Sequence, residues 1–401
     1  MLQKFIRRLV GQRHFWRTVG LNELSEIYAN QLLRSLSLNI IGIFVPVYLY
    51  KLGYSVQIIL LQYFVVLFYS RLIIDVISAH IVGYLGPKHA LAISAMIQIA
   101  ASCMMVTQQD MHWPIWLLAL VGTSAYSLFF LSLHVDFSKI KHTKHAGKEL
   151  GFLWIFDRLG AALGPLLGGL LANYFDPRYA IVVSIVTLIA SLIPLFATQE
   201  TVRTRQKIKF KGLRYRGNMS NFLAHAAFEL DNVASIVIWP MYVGIFIFTT
   251  DTYAKLGTAA SISTGIALLA AWTIGKIVDS KKSTSLYNGS VITNAVIHGL
   301  RIFPRGLFGV VMVNAVNDPV TAAFRMPYTK ALYDAADQQE GYRIAYITAT
   351  IMVGAFTKGT YCLVLWALTM VYPVATLFKW QFLVVGALTL YMLMQRYRTL
   401  Q

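Results

Sequence analysis

Apolar residues run along this chain in blocks of about twenty, broken by short polar clusters, and they do not alternate with polar ones. Blocks of that length cross a hydrocarbon core as helices. The missing alternation argues against a membrane barrel. Twelve spans are predicted, over residues 28–50, 56–80, 89–107, 113–136, 149–174, 178–198, 221–248, 256–278, 284–303, 307–329, 342–371 and 374–394. Connections are short except residues 199–217, which carry TVRTRQKIKFKGLRYR and divide the spans six and six. The expected organisation is an arm at 1–20, a six-helix bundle at 21–198, a basic linker at 199–217 and a second bundle at 218–401.

Composition agrees with that pattern. The 401 residues are 57% hydrophobic and only 13% charged, against roughly 45–50% and 25% in soluble domains. Net charge is +18. In a soluble chain this would suggest nucleic acid; here it follows from the positive-inside rule. With the N-terminus inside, about 24 of the 35 Lys and Arg fall in cytoplasmic segments. About six, Arg301 among them, fall outside. Both termini are therefore expected in the cytoplasm, in a bacterial inner membrane, with no nucleic-acid partner. The first twenty residues lack a continuous apolar core and read as an interfacial helix rather than a signal peptide. Cys103 and Cys362 lie in apolar segments without metal or redox spacing.

The halves repeat each other. Phe44-Val45-Pro46-Val47-Tyr48 matches Ile238-Trp239-Pro240-Met241-Tyr242, and Phe137-Ser138-Lys139 matches Tyr328-Thr329-Lys330, at an offset of about 191–194. The loop at 79–89 lines up with 275–283. A duplicated six-helix unit in parallel orientation results.

The fifth predicted span reads GFLWIFDRLGAALGPLLGG (residues 151–169). Gly160, Gly164 and Gly168 form a stripe without side chains, and Pro165 permits a bend. Gly151 and Gly169 extend the pattern. The stripe reads as a hinge and seal between the halves, with Asp157-Arg158 as a charged latch at the inner mouth.

With these motifs the chain resembles the major facilitator superfamily of transporters. The segment Gly275-Lys-Ile-Val-Asp279-Ser-Lys281-Lys282 is similar to that family's loop signature, although the first-half copy has Gly83 where the acid is usual. The pattern Gly151, Gly160, Gly164-Pro165, Gly168-Gly169 is similar to the fifth-helix motif of its proton-coupled exporters. The resemblance implies an all-α membrane fold of two pseudo-symmetric six-helix bundles. It also implies cavity-facing spans one, four, seven and ten. Two departures tell against drug export: the fourth span has no Arg, and the first has no central acid, Glu23 and Glu26 lying at its entrance.

Charges inside spans carry the candidate chemistry, since each costs about 2.5–3.5 kcal/mol on insertion scales. Arg34, Tyr126, Glu229, Asp231, Asp318 and Lys358 are candidates for the solute and for protons. Glu229 and Asp231 are the proton-coupling candidates, because desolvation can bring a carboxyl into a useful range. Asp318 and Lys358 would pair if their helices were neighbours. Arg71 with Asp75, and Asp157 with Arg158, read as gate-forming or structural pairs. The cluster His134, Asp136, His142 and His145 reads as a solvated loop rather than a metal site.

No nucleotide loop, nucleophile triad or zinc spacing occurs, so neither a cofactor nor an enzymatic step is expected. The expectation is a monomeric secondary transporter moving a small solute by alternating access, with export driven by protons. Metabolite uptake stands as an alternative, of an anion if Arg34 and Lys358 face the solute. A lipid flippase and a non-transporting receptor or scaffold remain open too.

Overall fold

The computed structural model describes residues 23–140, 146–195, 218–278, 283–338 and 342–400. The N-terminal arm, the central linker, His142, His145, Asp279, Lys281 and Lys282 lie outside the described residues.

The described residues are helical, with no strand among them. Twelve rods follow in order: α1 (residues 23–51), α2 (Val56–Leu85), α3 (Pro87–Val106), α4 (Ile115–Ile140), α5 (Ala146–Tyr174), α6 (Pro177–Leu195), α7 (Met219–Ile247), α8 (Thr252–Val278), α9 (Ser283–Leu300), α10 (Leu307–Asp337), α11 (Arg343–Leu368) and α12 (Val374–Met394). All but α8 and α9 are long and apolar enough to cross a membrane by composition alone. The chain is an integral, multi-pass membrane protein of the expected fold class.

Local chemistry sets the breaks between rods. The Ser55 hydroxyl accepts from the Ile58 amide at 3.3 Å and caps α2. Gly86, at φ 89°, turns the chain into Pro87, whose missing N–H is harmless at the first helical position. Asp176 accepts from the Arg178 amide at 2.7 Å and Pro177 opens α6. Pro240 lies in α7 between two π-helical stretches, Ala234–Ile238 and Val243–Ile247. The matching Pro46 in α1 follows a tight 3-10 turn, Gly42–Phe44. The duplicated motif is thus wound differently in each half.

Helices α1–α6 pack as one bundle and α7–α12 as another, joined chiefly by α5 against α8 and α2 against α11. Small residues make the closest approaches, as bilayer packing requires. Ser37 and Ser184 exchange hydroxyl-to-carbonyl bonds at 2.7 and 2.8 Å and clamp α1 to α6. A Cβ on Gly160 would lie 2.6 Å from the Leu36 amide, one on Gly164 2.7 Å from Asn39, and one on Gly168 would overlap the Ile40 carbonyl.

The glycine stripe therefore packs on α1, within its own bundle, and not between the halves as its sequence suggests. The inter-bundle seam is made one residue further round. A Cβ on Gly169 would sit 2.5 Å from the Tyr253 carbonyl, and one on Gly257 would strike that of Pro165. Rotation of the helix by one position separates the two surfaces.

We call the end of the bundles nearest residues 23 and 394 the terminus face. At the opposite face α1 meets α7. Val47 fills the space over Gly244, where a Cβ would lie 2.5 Å from its methyl. Phe44 meets Tyr253 edge-on at 5.6 Å. At the terminus face a second apolar cluster joins the halves, Val82 of α2 and Val135 of α4 with Phe222 of α7, Ala336 of α10 and Tyr346 of α11.

Gly168→Ala should lower stability by about 1–3 kcal/mol, the range for overpacking, seen as a lower melting temperature in detergent. Gly122→Ala, with open space around its Cβ, should leave it unchanged. Equal melting temperatures for the two variants would show that the α1–α5 contact yields.

Candidate functional site

Asp231 on α7 is a carboxylate inside the second bundle with no exposed surface. Its Oδ1 accepts from Asn294 Nδ2 and faces His298 Nε2, both at 2.9 Å on α9. Its Oδ2 lies 3.4 Å from Arg325 Nη2 on α10. Behind the histidine, Arg301 Nη1 stands 3.1 Å from His298 Nδ1. An arginine nitrogen can only donate, so Nδ1 accepts and Nε2 carries the hydrogen given to Asp231. His298 is thereby held neutral in one tautomer. A second ring proton would point at a guanidinium.

Arg301 also donates to Ser235 Oγ and Asn317 Oδ1, each at 2.9 Å, and lies over the rings of Trp239 and Phe382 at 5.5 and 5.6 Å. The sequence pattern put Arg301 outside the membrane domain; it is 1% exposed and belongs to this interior network. Asn294, His298 and Arg301, spaced four and three, are the signal that could have shown it.

A second node sits about half a turn nearer the terminus face. Glu229 Oε2 lies 2.7 Å from Lys358 Nζ and accepts from Asn232 Nδ2 at 3.0 Å. His225 Nε2 is 3.7 Å from Oε1, and its Nδ1 is 3.3 Å from the Tyr328 hydroxyl. Gly354 on α11 makes room, since a Cβ there would lie 2.6 Å from Glu229 Cγ. Asn232 also accepts from Arg325 at 3.0 Å and so joins the two nodes.

Lys358 reaches the other bundle as well. Its Nζ lies 5.3 Å from the centre of the Phe68 ring on α2. One residue on, Gly359 abuts Tyr69, whose hydroxyl is 2.9 Å from Thr360 Oγ1. The Glu229–Lys358 pair therefore adjoins the α2–α11 seam.

In the first bundle Arg71 and Asp75 pair at 3.4 Å, both 4% exposed. Arg71 lies 5.0 Å over the Tyr126 ring. Tyr126 is 43% exposed and offers the open aromatic face of this region. Lys88, in the first turn of α3, is buried 3.4 Å from Glu26. Asp157 accepts from Gln31 on α1 at 2.8 Å and stands 4.0 Å from Arg158. That ties it to its own bundle rather than across a mouth. Arg34 is 2% exposed and stacks on Phe129 at 3.8 Å.

The conditional pair Asp318–Lys358 does not form. Lys358 takes Glu229 instead, and Asp318, half-buried, accepts from Asn317 Nδ2 at 3.2 Å. Position along a helix fixes depth but not which neighbour a side chain meets. Glu229 and Asp231, alike in sequence, separate in kind: one partly exposed at the seam, the other locked within a bundle. Gly275 lies in the last turn of α8 and Gly151 in the first half of α5. Among the described residues no cluster of metal-ligating side chains occurs.

No family model matches the chain, and no curated protein matches it in sequence. Among solved structures it is similar to the E. coli fucose:proton symporter FucP, with a TM-score of 0.64 over 93% of this chain and 98% of that one, at 10% identity. The chain therefore has the major facilitator fold.

Asp231→Ala should cost about 3–5 kcal/mol, the range for breaking a buried pair, because it strands Arg325 and His298. Glu229→Gln, with hydrogen-bonding capacity kept and some water access, should fold with a melting temperature within a few degrees of wild type. Equal losses in both would remove the distinction between a locked and a labile carboxylate.

Proposed function

We propose that the chain is a proton-coupled secondary transporter of a small solute, alternating between states by rocking bundles 21–198 and 218–401 about the α5–α8 and α2–α11 seams, with residues 199–217 as the tether. The observation that carries this reading is the Glu229–Lys358 pair. A carboxylate 2.7 Å from an ammonium, beside a histidine and at the seam, links a titratable group to the moving contact.

A proton taken up by Glu229 removes its charge and releases Lys358, which already touches the α2 ring Phe68. The Arg71–Asp75 pair on α2 is the nearest charged feature of that helix. Ion-pair exchange across the seam then changes the relative stability of the two bundle arrangements, which is what coupling requires. His298, fixed in one tautomer by Arg301, does not carry this proton, and Asp231 holds the bundle together instead. Asp318, Asn314 and Tyr126 supply polar and aromatic contacts for the solute.

Apolar clusters join the bundles at the opposite face and at the terminus face. With the positive charge distribution of the sequence, that face is cytoplasmic and the membrane is a bacterial inner membrane. Two features tell against a scaffold: Glu229 keeps some exposure, and Arg34 is tied to no acid.

The fifth-helix glycine pattern supports export against inward proton flow. Uptake by symport is the second reading, favoured by the likeness to a structure described as a proton symporter.

Purified protein in proteoliposomes should show solute-dependent proton movement, read with a trapped pH dye across a metabolite panel. Glu229→Gln should abolish it, and Asp318→Asn should abolish pH-driven transport, both with folding intact. Wild-type coupled flux in both variants would sink the assignment. Solute leaving vesicles against its gradient when protons enter indicates export; accumulation with protons indicates symport.

A further inference from the structure

Among the described residues most interior cations stand beside an acid or donate to polar acceptors. Lys88 has Glu26, Arg71 has Asp75, Arg325 has Asp231 and Lys358 has Glu229. Arg301 donates to His298, Ser235 and Asn317. Arg34, on α1, has no acid and no hydrogen-bond acceptor for Nε or Nη2 among the described residues. Its guanidinium carbon lies 3.8 Å over the centre of the Phe129 ring, and the residue is 2% exposed.

The acids around α1 are already engaged. Glu26 faces Lys88, and Asp157 takes Gln31 and stands beside Arg158. Asn30, one turn from Arg34, is turned away to the Ser191 carbonyl at 2.7 Å.

The two empty nitrogens are the informative part. In a guanidinium, the Nε hydrogen and one Nη2 hydrogen point the same way and form the edge that grips a carboxylate with two parallel bonds. Stacking on an aromatic ring uses the face and leaves this edge free. A buried cation without a counter-charge is strongly unfavourable, because desolvation is not offset. Such a group is retained at a loss to the fold, and an anion that reaches its unpaired edge reverses the loss.

We propose that Arg34 is the anion-binding residue of the transport site and that the solute carries one negative charge, as a carboxylate. This rests on the transport reading and names the substrate class for it. The guanidinium that lacks both an acid and acceptors for Nε and Nη2 carries a single charge. A monoanion balances it, whereas a dianionic phosphate leaves a surplus negative charge in a medium of low dielectric. Lys358, the other cation the sequence offers for this role, is occupied by Glu229 at 2.7 Å.

The test uses full-length protein in detergent and reads stability before flux. The ligand-free Arg34→Met variant should melt at or a few degrees above wild type, and Arg34→Lys at wild type or below. Sodium acetate and sodium benzoate should raise the wild-type melting temperature at constant ionic strength. Acetamide and benzamide, their neutral counterparts, should not, and inorganic phosphate should act less than either carboxylate. The carboxylate shift should vanish in Arg34→Met and remain in Gly122→Ala.

A strong drop in stability for ligand-free Arg34→Met would make the residue structural and overturn the proposal. So would equal shifts from carboxylates and amides, a larger shift from phosphate, or a carboxylate shift that survives in Arg34→Met. Loss of proton coupling as the reason for failure is separable. Carboxylate binding that depends on Arg34 without any proton movement would refute the coupled-transport reading and keep this one. Coupled flux of a neutral solute in Arg34→Met would do the reverse.

Discussion

Asp231 is a carboxylate placed where water cannot reach it, and the second bundle is built around satisfying it. Removing a charge from water is unfavourable by several kcal/mol unless donors converge on it. Here they converge from α9 and α10, through Asn294, His298 and Arg325. Arg301 then extends the same network to Ser235, Asn317 and the ring of Phe382, bringing in α12. Each helix that contributes a partner has its rotation fixed by doing so. That fixed frame is what allows Glu229, two residues from Asp231 and pointing elsewhere, to face α11 in a defined way.

The frame also divides labour between the two carboxylates. Polar groups tied from all sides make a bundle rigid, and rigid bundles can rock as bodies. The proposed transport cycle needs, in addition, one ion pair whose partners can separate without unfolding anything. Glu229 and Lys358 meet that need because they lie between helices at an edge of the bundle, beside a glycine-lined contact with the other half. The first bundle has no counterpart of the Asp231 network among its described residues. Its cohesion comes from small-residue contacts, the Ser37–Ser184 exchange and the glycine stripe on α1.

Much of this was legible in the chain itself. Span positions follow from apolar block length, and most helix ends fall within a few residues of those predicted, the terminus-face ends of α2 and α10 running further. Close packing at the fifth helix follows from glycines spaced by four. Partners are less legible, because they depend on helix rotation and on space left by other residues. Gly354 is what lets Lys358 reach Glu229, and nothing in the local sequence couples those positions. The stripe of Gly160, Gly164 and Gly168 announces a close neighbour without saying which; α1 and α8 are both available, and a one-residue rotation assigns them to different glycines. Arg301 was misplaced because the short polar run it begins looks like a loop, although Asn294 and His298 mark the same face.

The isolated guanidinium of Arg34 has an electrical consequence. Ion pairs contribute no net charge to the interior, so the field across the membrane acts on them only as dipoles. Arg34 contributes a whole charge. Moving one charge fully across a potential of 100 mV involves about 2.3 kcal/mol, and a partial displacement involves the corresponding fraction. In the proposed cycle, as α1 tilts with its bundle, the empty form is the one on which voltage does work through this residue. An occupant of opposite charge silences that contribution, so the two halves of a transport cycle feel the membrane potential unequally.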